Sequence, residues 1–309
     1  MVGILLTGTV VESRATDGNL YVVSLGTQEV LRYSSSDGSF IDAFVPAGSG
    51  GLNTPVHAVF GPDGNLYVAS LSTNSVFRYN GASGAFLDVF VPAGSGLTSP
   101  WGLTFGPDGN LYVTSRTDSS VFRFNGATGA YIDTFVSSGS GGLNGAESLT
   151  FGPDGNLYVG SIGTDEVYRF NGTTGAYMNK FVSAGSGGLN QPEDLVFYGN
   201  YLFVASYTTH QVLRYNGSTG AYVDAFVPAN SGGLSGPTGM AFKGGRLYVA
   251  SYDTSQVLRY DAATGAFVDV FVAAASGGLF RPSSIAFAPP PVVSSSGGGG
   301  GGCFIDSLK

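Results

Sequence analysis

The chain has 309 residues, 43% of them hydrophobic and only 11% charged, with 50 glycines and a formal net charge of −8. Its 13 Lys and Arg form no basic stripe that could gather phosphates, which excludes nucleic acid as a partner and disfavours anionic membranes. One cysteine, Cys303, permits neither an intrachain disulfide nor Cys/His zinc spacing, and no run reaches the roughly 20 apolar residues of a membrane span.

Residues 1–14 are expected to be an N-terminal extension. Met1–Leu6 is apolar but short and lacks a basic start, so it reads as the remnant of a signal peptide. One phrase then organises the chain. Phe60-Gly-Pro-Asp-Gly-Asn-Leu-Tyr-Val-Ala-Ser70 recurs at Phe105–Ser115 and Phe151–Ser161, more loosely at Phe197–Ser206 and Phe242–Ser251, and as a half-copy at Asp17–Ser24. Its leucine falls at Leu20, Leu66, Leu111, Leu157, Leu202 and Leu247, so six units repeat every 45 or 46 residues.

Within the second unit, Pro55–Phe60 reads as a short apolar strand (A), and Gly61-Pro-Asp-Gly64 as a tight turn in which proline presets φ and glycine accepts positive φ. Asn65–Ser70 is a second strand (B) with alternating faces, and Leu71–Ser75 a loop. Val76–Tyr79 is strand C, Asn80–Gly84 a glycine-bearing hairpin turn, and Phe86–Val91 strand D. No window sustains a 3.6-residue apolar period, so helices should be nearly absent. Four antiparallel strands per 45 residues is the period of a propeller blade. The predicted fold is therefore all-β: a six-bladed β-propeller over residues 15–288.

The first unit lacks a strand A, because Val11-Glu-Ser-Arg14 has no apolar pattern, whereas an unclaimed A-like strand stands at Ser283–Phe287. That C-terminal strand is expected to complete the N-terminal blade and lock the ring. Residues 289–309 then form a linker and tail: Pro289-Pro-Pro291 is stiff, Ser294–Gly302 has flexible composition, and Cys303–Lys309 ends the chain.

Six internal copies separate what a blade needs from what it leaves free. Strand C carries Arg32, Arg78, Arg123, Arg169, Arg214 and Arg259, and strand D carries Asp42, Asp88, Asp133, Asp224 and Asp269, with Asn179 as the exception. Opposed across C and D, these predict structural ion pairs. Asp63, Asp108 and Asp154 are explained by turn chemistry, since each turn offers one carboxylate where calcium needs 6–8 oxygens. Asn171-Gly-Thr173 and Asn216-Gly-Ser218 match the glycosylation pattern but are the hairpin turn of the repeat.

Variation collects at the start of strand A and in the B–C loop. In a propeller the D–A and B–C connections share one face around the axis. His57, Trp101, Arg116, Glu147, Glu193, Asp194, Tyr207, His210 and Tyr252 are therefore the candidate ligand-binding residues. Ordinary drift of a solvated surface is the competing explanation.

The phrase Leu-x-Phe-Gly-Pro-Asp-Gly-Asn-Leu-Tyr-Val-x-Ser, followed by Val-Phe-Arg-Tyr, resembles the NHL-type repeat of six-bladed propellers across about residues 17–287. The resemblance implies kinship with binding propellers and with streptogramin-lyase-like and gluconolactonase-like enzymes, whose acidic, amide or histidine residues surround the axis. No catalytic motif of theirs matches residue by residue. The glycine run ahead of Cys303-Phe-Ile305 resembles C-terminal tails of exported bacterial proteins, but Asp306-Ser-Leu-Lys309 departs from their small-residue run.

The first functional expectation is a non-enzymatic, monomeric propeller with no cofactor. It would be exported from a bacterium to the periplasm, cell surface or medium, and would bind a protein or small-molecule ligand on the variable face. The second is a hydrolase or lyase acting on a lactone or cyclic ester, with carboxylates and a histidine or a divalent metal converging at the axial mouth, where two carboxylates and His57 could hold such a metal. The third is a repetitive envelope component that associates through its outer D strands.

Overall fold

A computed structural model describes residues 18–289. The expected extension over residues 1–14 and nearly all of the tail, Cys303 included, lie outside the described residues. Six four-stranded antiparallel sheets form a six-bladed β-propeller. The first blade is β24 (Pro282–Phe287), β1 (Leu20–Ser24), β2 (Glu29–Tyr33) and β3 (Phe40–Val45), in that spatial order. The others follow along the chain: β4 (Pro55–Phe60) to β7 (Phe86–Val91), β8 (Pro100–Phe105) to β11 (Tyr131–Val136), and β12 (Ala146–Phe151) to β15 (Tyr177–Val182). Next come β16 (Pro192–Tyr198) to β19 (Tyr222–Val227) and β20 (Pro237–Lys243) to β23 (Phe267–Val272). The only helical pieces among the described residues are five single 3-10 turns of sequence Ser-Gly-Gly in the D–A connections. The connection from the second blade to the third, Gly94-Ser-Gly96, is one glycine shorter and has none.

The core lies in the seams between blades. Strand B is buried along its full length in four blades and from its second residue on in the two that start at Tyr201 and Arg246, because neighbouring blades cover both of its faces. One aromatic slot is built six times. Tyr21, Tyr67, Tyr112, Tyr158, Phe203 and Tyr248 of strand B each pack against the phenylalanine of their own strand D and that of the next blade's strand A, at centroid separations of 4.8–5.0 Å. The last slot, between Tyr248 and Phe287, is filled by β24, which pairs antiparallel with β1 from Leu20↔Phe287 to Ser24↔Pro282. The ring is closed by the C-terminal strand, and its closing seam is built like the other five.

The invariant polar residues are scaffold. Arg32, Arg78, Arg123, Arg214 and Arg259 stand directly opposite Asp42, Asp88, Asp133, Asp224 and Asp269, with paired hydrogen bonds from Nε and Nη2. Each guanidinium also lies over the strand D phenylalanine of its own blade, 4.7–5.0 Å from the ring centre. Opposite Asn179, Arg169 instead reaches Asp154 at 3.6 Å, and Lys180 pairs with Glu166 at 2.9 Å. In the A–B turn, Asp63 accepts the Asn65 backbone N–H at 3.0 Å and the Tyr67 hydroxyl at 3.0 Å, the turn role expected of it. Asn171 likewise caps its own hairpin, accepting from the backbone N–H groups of Thr173 and Thr174.

Candidate functional site

The site begins with an irregularity common to all six inner strands. Strand A pairs with strand B at its first residue, then slips before regular pairing resumes: Pro192 faces Ser206, and the next pair is Asp194 with Ala205. The same slip follows Pro55, Pro100, Ala146, Pro237 and Pro282. Proline has no N–H for the ladder, and a bulge re-aims the side chains it contains. The bulged residues are the variable pairs of the sequence: Val56-His57, Trp101-Gly102, Glu147-Ser148, Glu193-Asp194, Thr238-Gly239 and Ser283-Ser284.

The connection leading into each bulge is held by the serine that ends strand B. Ser70 accepts the Asn53 N–H at 3.1 Å and donates to the Asn53 carbonyl at 2.8 Å. Ser24, Ser115, Ser161, Ser206 and Ser251 make the same two bonds in their blades. A rigid frame therefore presents each bulge at one fixed place around the axis.

A pocket of about 190 Å³ opens at the axial mouth. Four of its lining residues are first bulge residues (Trp101, Glu193, Thr238 and Ser283), and the other four open B–C loops (Leu25, Arg116, Tyr207 and Tyr252). Every lining residue thus comes from one of two repeat positions, and five of the nine sequence candidates meet there. Leu25, Thr238 and Ser283 were not among the candidates, because they are apolar or small. Their repeat positions were the available signal.

Charge concentrates under the pocket. Glu147 is fully buried, with Arg116 Nε 3.0 Å from Oε2 in a geometry that makes an ion pair but no hydrogen bond, so the donor within its reach is the proton it can share with the Glu193 carboxyl. Burial, and then the neighbouring charge of Glu193, raise the Glu147 acid well above the carboxylate range. Glu193 is pushed up to about 7, chiefly by burial, with Arg116 opposing the shift. Arg116 also lies over Trp101, 4.7 Å from the ring centre. Tyr207 and Tyr252 meet edge to face at 6.0 Å, and the Tyr207 hydroxyl donates to Asp253 at 3.3 Å. The Ser283 hydroxyl is buried in the pocket wall without a partner.

The other candidates lie elsewhere on the same face. Asp194 turns between blades, where its carboxylate accepts the N–H groups of Leu195 at 2.8 Å and Met240 at 2.7 Å, and burial lifts it to about 6. His57 does not line the pocket. Its Nδ1 is buried without a partner, and burial lowers the ring to about 4. His210 is an inter-blade brace: its Nδ1 accepts the Gly236 N–H at 2.8 Å. Asn74, Ser119, Asp165 and Ser255 do the same at the equivalent loop position. Among the described residues no three His, Cys, Asp or Glu side chains gather closely enough to hold a metal ion, so His57 does not join the carboxylate pair as the metal expectation required.

No family model matches the chain, and no curated protein matches its sequence. Solved structures share the architecture. A chain of a nidogen–laminin complex superposes with a TM-score of 0.71 at 17% identity, over 88% of this chain and 98% of that one. A Bacteroides caccae protein of unknown function gives 0.67 at 16% identity, over 88% and 98%. Virginiamycin B lyase from Staphylococcus aureus gives 0.57 at 14% identity, over 82% and 83%. At these identities the likeness is one of fold: the chain is a six-bladed β-propeller with an asymmetric, charge-loaded axial mouth.

Proposed function

We propose that this propeller is a binding module whose ligand, a small molecule or one anchoring side chain of a protein, enters the axial mouth. One observation carries the reading. The pocket-lining positions are those that differ among otherwise near-identical blades, and they bring Glu193, a guanidinium and three aromatic rings to one end of the axis, with the buried Glu147 beneath them. Each buried group with an unmet hydrogen bond costs free energy that a ligand can recover. A pocket of about 190 Å³ is smaller than the several hundred Å³ of drug-sized sites, so the ligand portion it takes is compact. The single cysteine and the scarcity of lysine agree with export to a bacterial surface or periplasm. No helix among the described residues is long and apolar enough to cross a membrane.

A thermal-shift screen of small metabolites and short peptides tests the reading. Hits are expected to lose their effect in Trp101→Ala and Tyr252→Ala and to keep it in Ile132→Glu, on an outer strand. The opposite pattern would move the site to the girdle. The second reading is acid–base catalysis on a lactone or cyclic ester, favoured by the upward-shifted pKa values of the Glu147–Glu193 pair, which keep a proton available near neutral pH. Turnover of such substrates, lost in Glu193→Gln, would establish it.

A further inference from the structure

We propose that the axial pocket receives its ligand through a cationic group of the alkyl-ammonium type, as on a lysine side chain or a free amine, seated against Glu193 beside Tyr207 and Tyr252. The inference rests on the reading of the axial mouth as the binding site and names the chemistry that site selects.

The charges under the mouth do not balance. Glu147 and Glu193 lie side by side, and one cation, Arg116, faces both. Arg116 is already committed, with its Nε against Glu147 and its plane over Trp101. Asp194, the next carboxylate, is satisfied by two backbone N–H groups and offers no help. One carboxyl is therefore in excess, in a place where burial makes an unpaired charge costly.

The unmet hydrogen bonds point the same way. Ser283 Oγ stands unpartnered in the wall, and Glu147, beneath the lining, has no donor beyond the proton it shares with Glu193. An ammonium carries three donors and no acceptor. The rim adds acceptors too, since Asp253 takes the Tyr207 hydroxyl at 3.3 Å and the Ser235 hydroxyl at 2.9 Å. Tyrosine rings attract cations through their faces. Arg281 already lies 5.7 Å from the centre of Tyr252, outside the pocket lining. An anion would meet Glu193 and Asp253 with no uncommitted cation in the lining. A neutral polyol would fill hydrogen bonds and leave the excess charge.

Without the ligand, a proton is the cation that the pair holds. The groups facing Glu193 are Glu147, Arg116, Asp194 and Tyr207, with Asp253 and Tyr252 at the rim. An arriving ammonium competes with that proton, so binding strengthens as pH rises and releases a proton.

The test is calorimetry with Nα-acetyl-lysine N-methylamide, its uncharged norleucine isostere, N-acetylglucosamine and acetate, at pH 8 and pH 5.5, while the emission of Trp101 is followed. The lysine probe is expected to bind at pH 8 and to weaken about tenfold at pH 5.5 and in Glu193→Gln, one order of magnitude being one shared charge contact. Proton release should show as a dependence of the heat on buffer ionisation. Ser283→Ala should weaken binding a few-fold in a protein that melts normally. Binding of norleucine as tight as lysine, or lysine binding indifferent to Glu193→Gln, would overturn the proposal. If acetate or N-acetylglucosamine alone perturbs Trp101, the site stands and the cationic class falls. If no probe perturbs Trp101, both fall.

Discussion

Side chains that look free in a repeat comparison divide into braces and binders, and hydrogen bonds tell them apart. Asn74, Ser119, Asp165, His210 and Ser255 differ in identity, yet each accepts one N–H from the next blade. The sequence shows four residue types at five positions where the fold needs one acceptor. His210→Asn should therefore leave stability within about 0.5 kcal/mol, whereas His210→Leu, which orphans the Gly236 N–H, should cost about 1–3 kcal/mol in urea unfolding. Arg169 is the converse case, since its Nε is buried with no partner opposite Asn179. Asn179→Asp recreates the pair of the other blades and should stabilise by about 1 kcal/mol or less, because the partner is exposed. The buried acids make stability depend on pH. Glu193 is raised from 4.5 to about 7 in the folded chain, so its contribution is complete below 4.5 and is lost as pH rises through 7. Glu193→Gln should then melt higher than the parent at pH 8 and alike at pH 4. His57 has the opposite sign: lowered from 6.5 to about 4, it contributes stability above 6.5 that is lost as pH falls towards 4.

At the scale of elements, the turn, strand and hairpin of each blade were legible because their chemistry is local. Pro-Asp-Gly-Asn fixes the A–B turn, and alternating apolar residues fix the strands. The bulge at the start of each inner strand was not legible. It recurs where strand A meets a strand B serine occupied by the incoming connection, with proline at the first position in five blades and Ala146 in the other, so neither residue announces the slip alone. That hidden bulge is why the pair Glu193-Asp194 splits, one carboxyl lining the pocket and the other bracing the next blade. The C–D hairpin shows how neighbouring blades constrain an element. Gly129 has φ +72°, and a Cβ there would sit 1.9 Å from the carbonyl oxygen of Phe90 in the preceding blade. Gly129→Ala should lower stability by more than about 1 kcal/mol, combining left-handed strain with that clash. A melting temperature equal to the parent's would show that the seam yields more readily than its geometry implies.

For the whole molecule, the period of the repeat and the unclaimed strand at the C-terminal end were enough to anticipate six blades and their closure, because both are counts rather than contacts. Removing residues 282–309 should expose the edge of β1, empty the Tyr248 slot and abolish the cooperative transition. A truncated chain melting at the parent temperature would refute closure by β24. The sequence also pointed to the connections at one end of the propeller, and five of its nine candidate residues line one pocket there. It could not show which variable residues meet, because that depends on the aim of each bulge. The central claim is that the axial mouth is a built, charge-loaded site and not a drifted surface. Trp101, the only tryptophan in the chain, sits in the pocket under Arg116, so its emission reports on that charge. A pH titration of Trp101 fluorescence should show an inflection near the raised value of about 7 for Glu193, absent in Glu193→Gln. An inflection in the ordinary carboxylate range near 4, unchanged by that substitution, would contradict the claim.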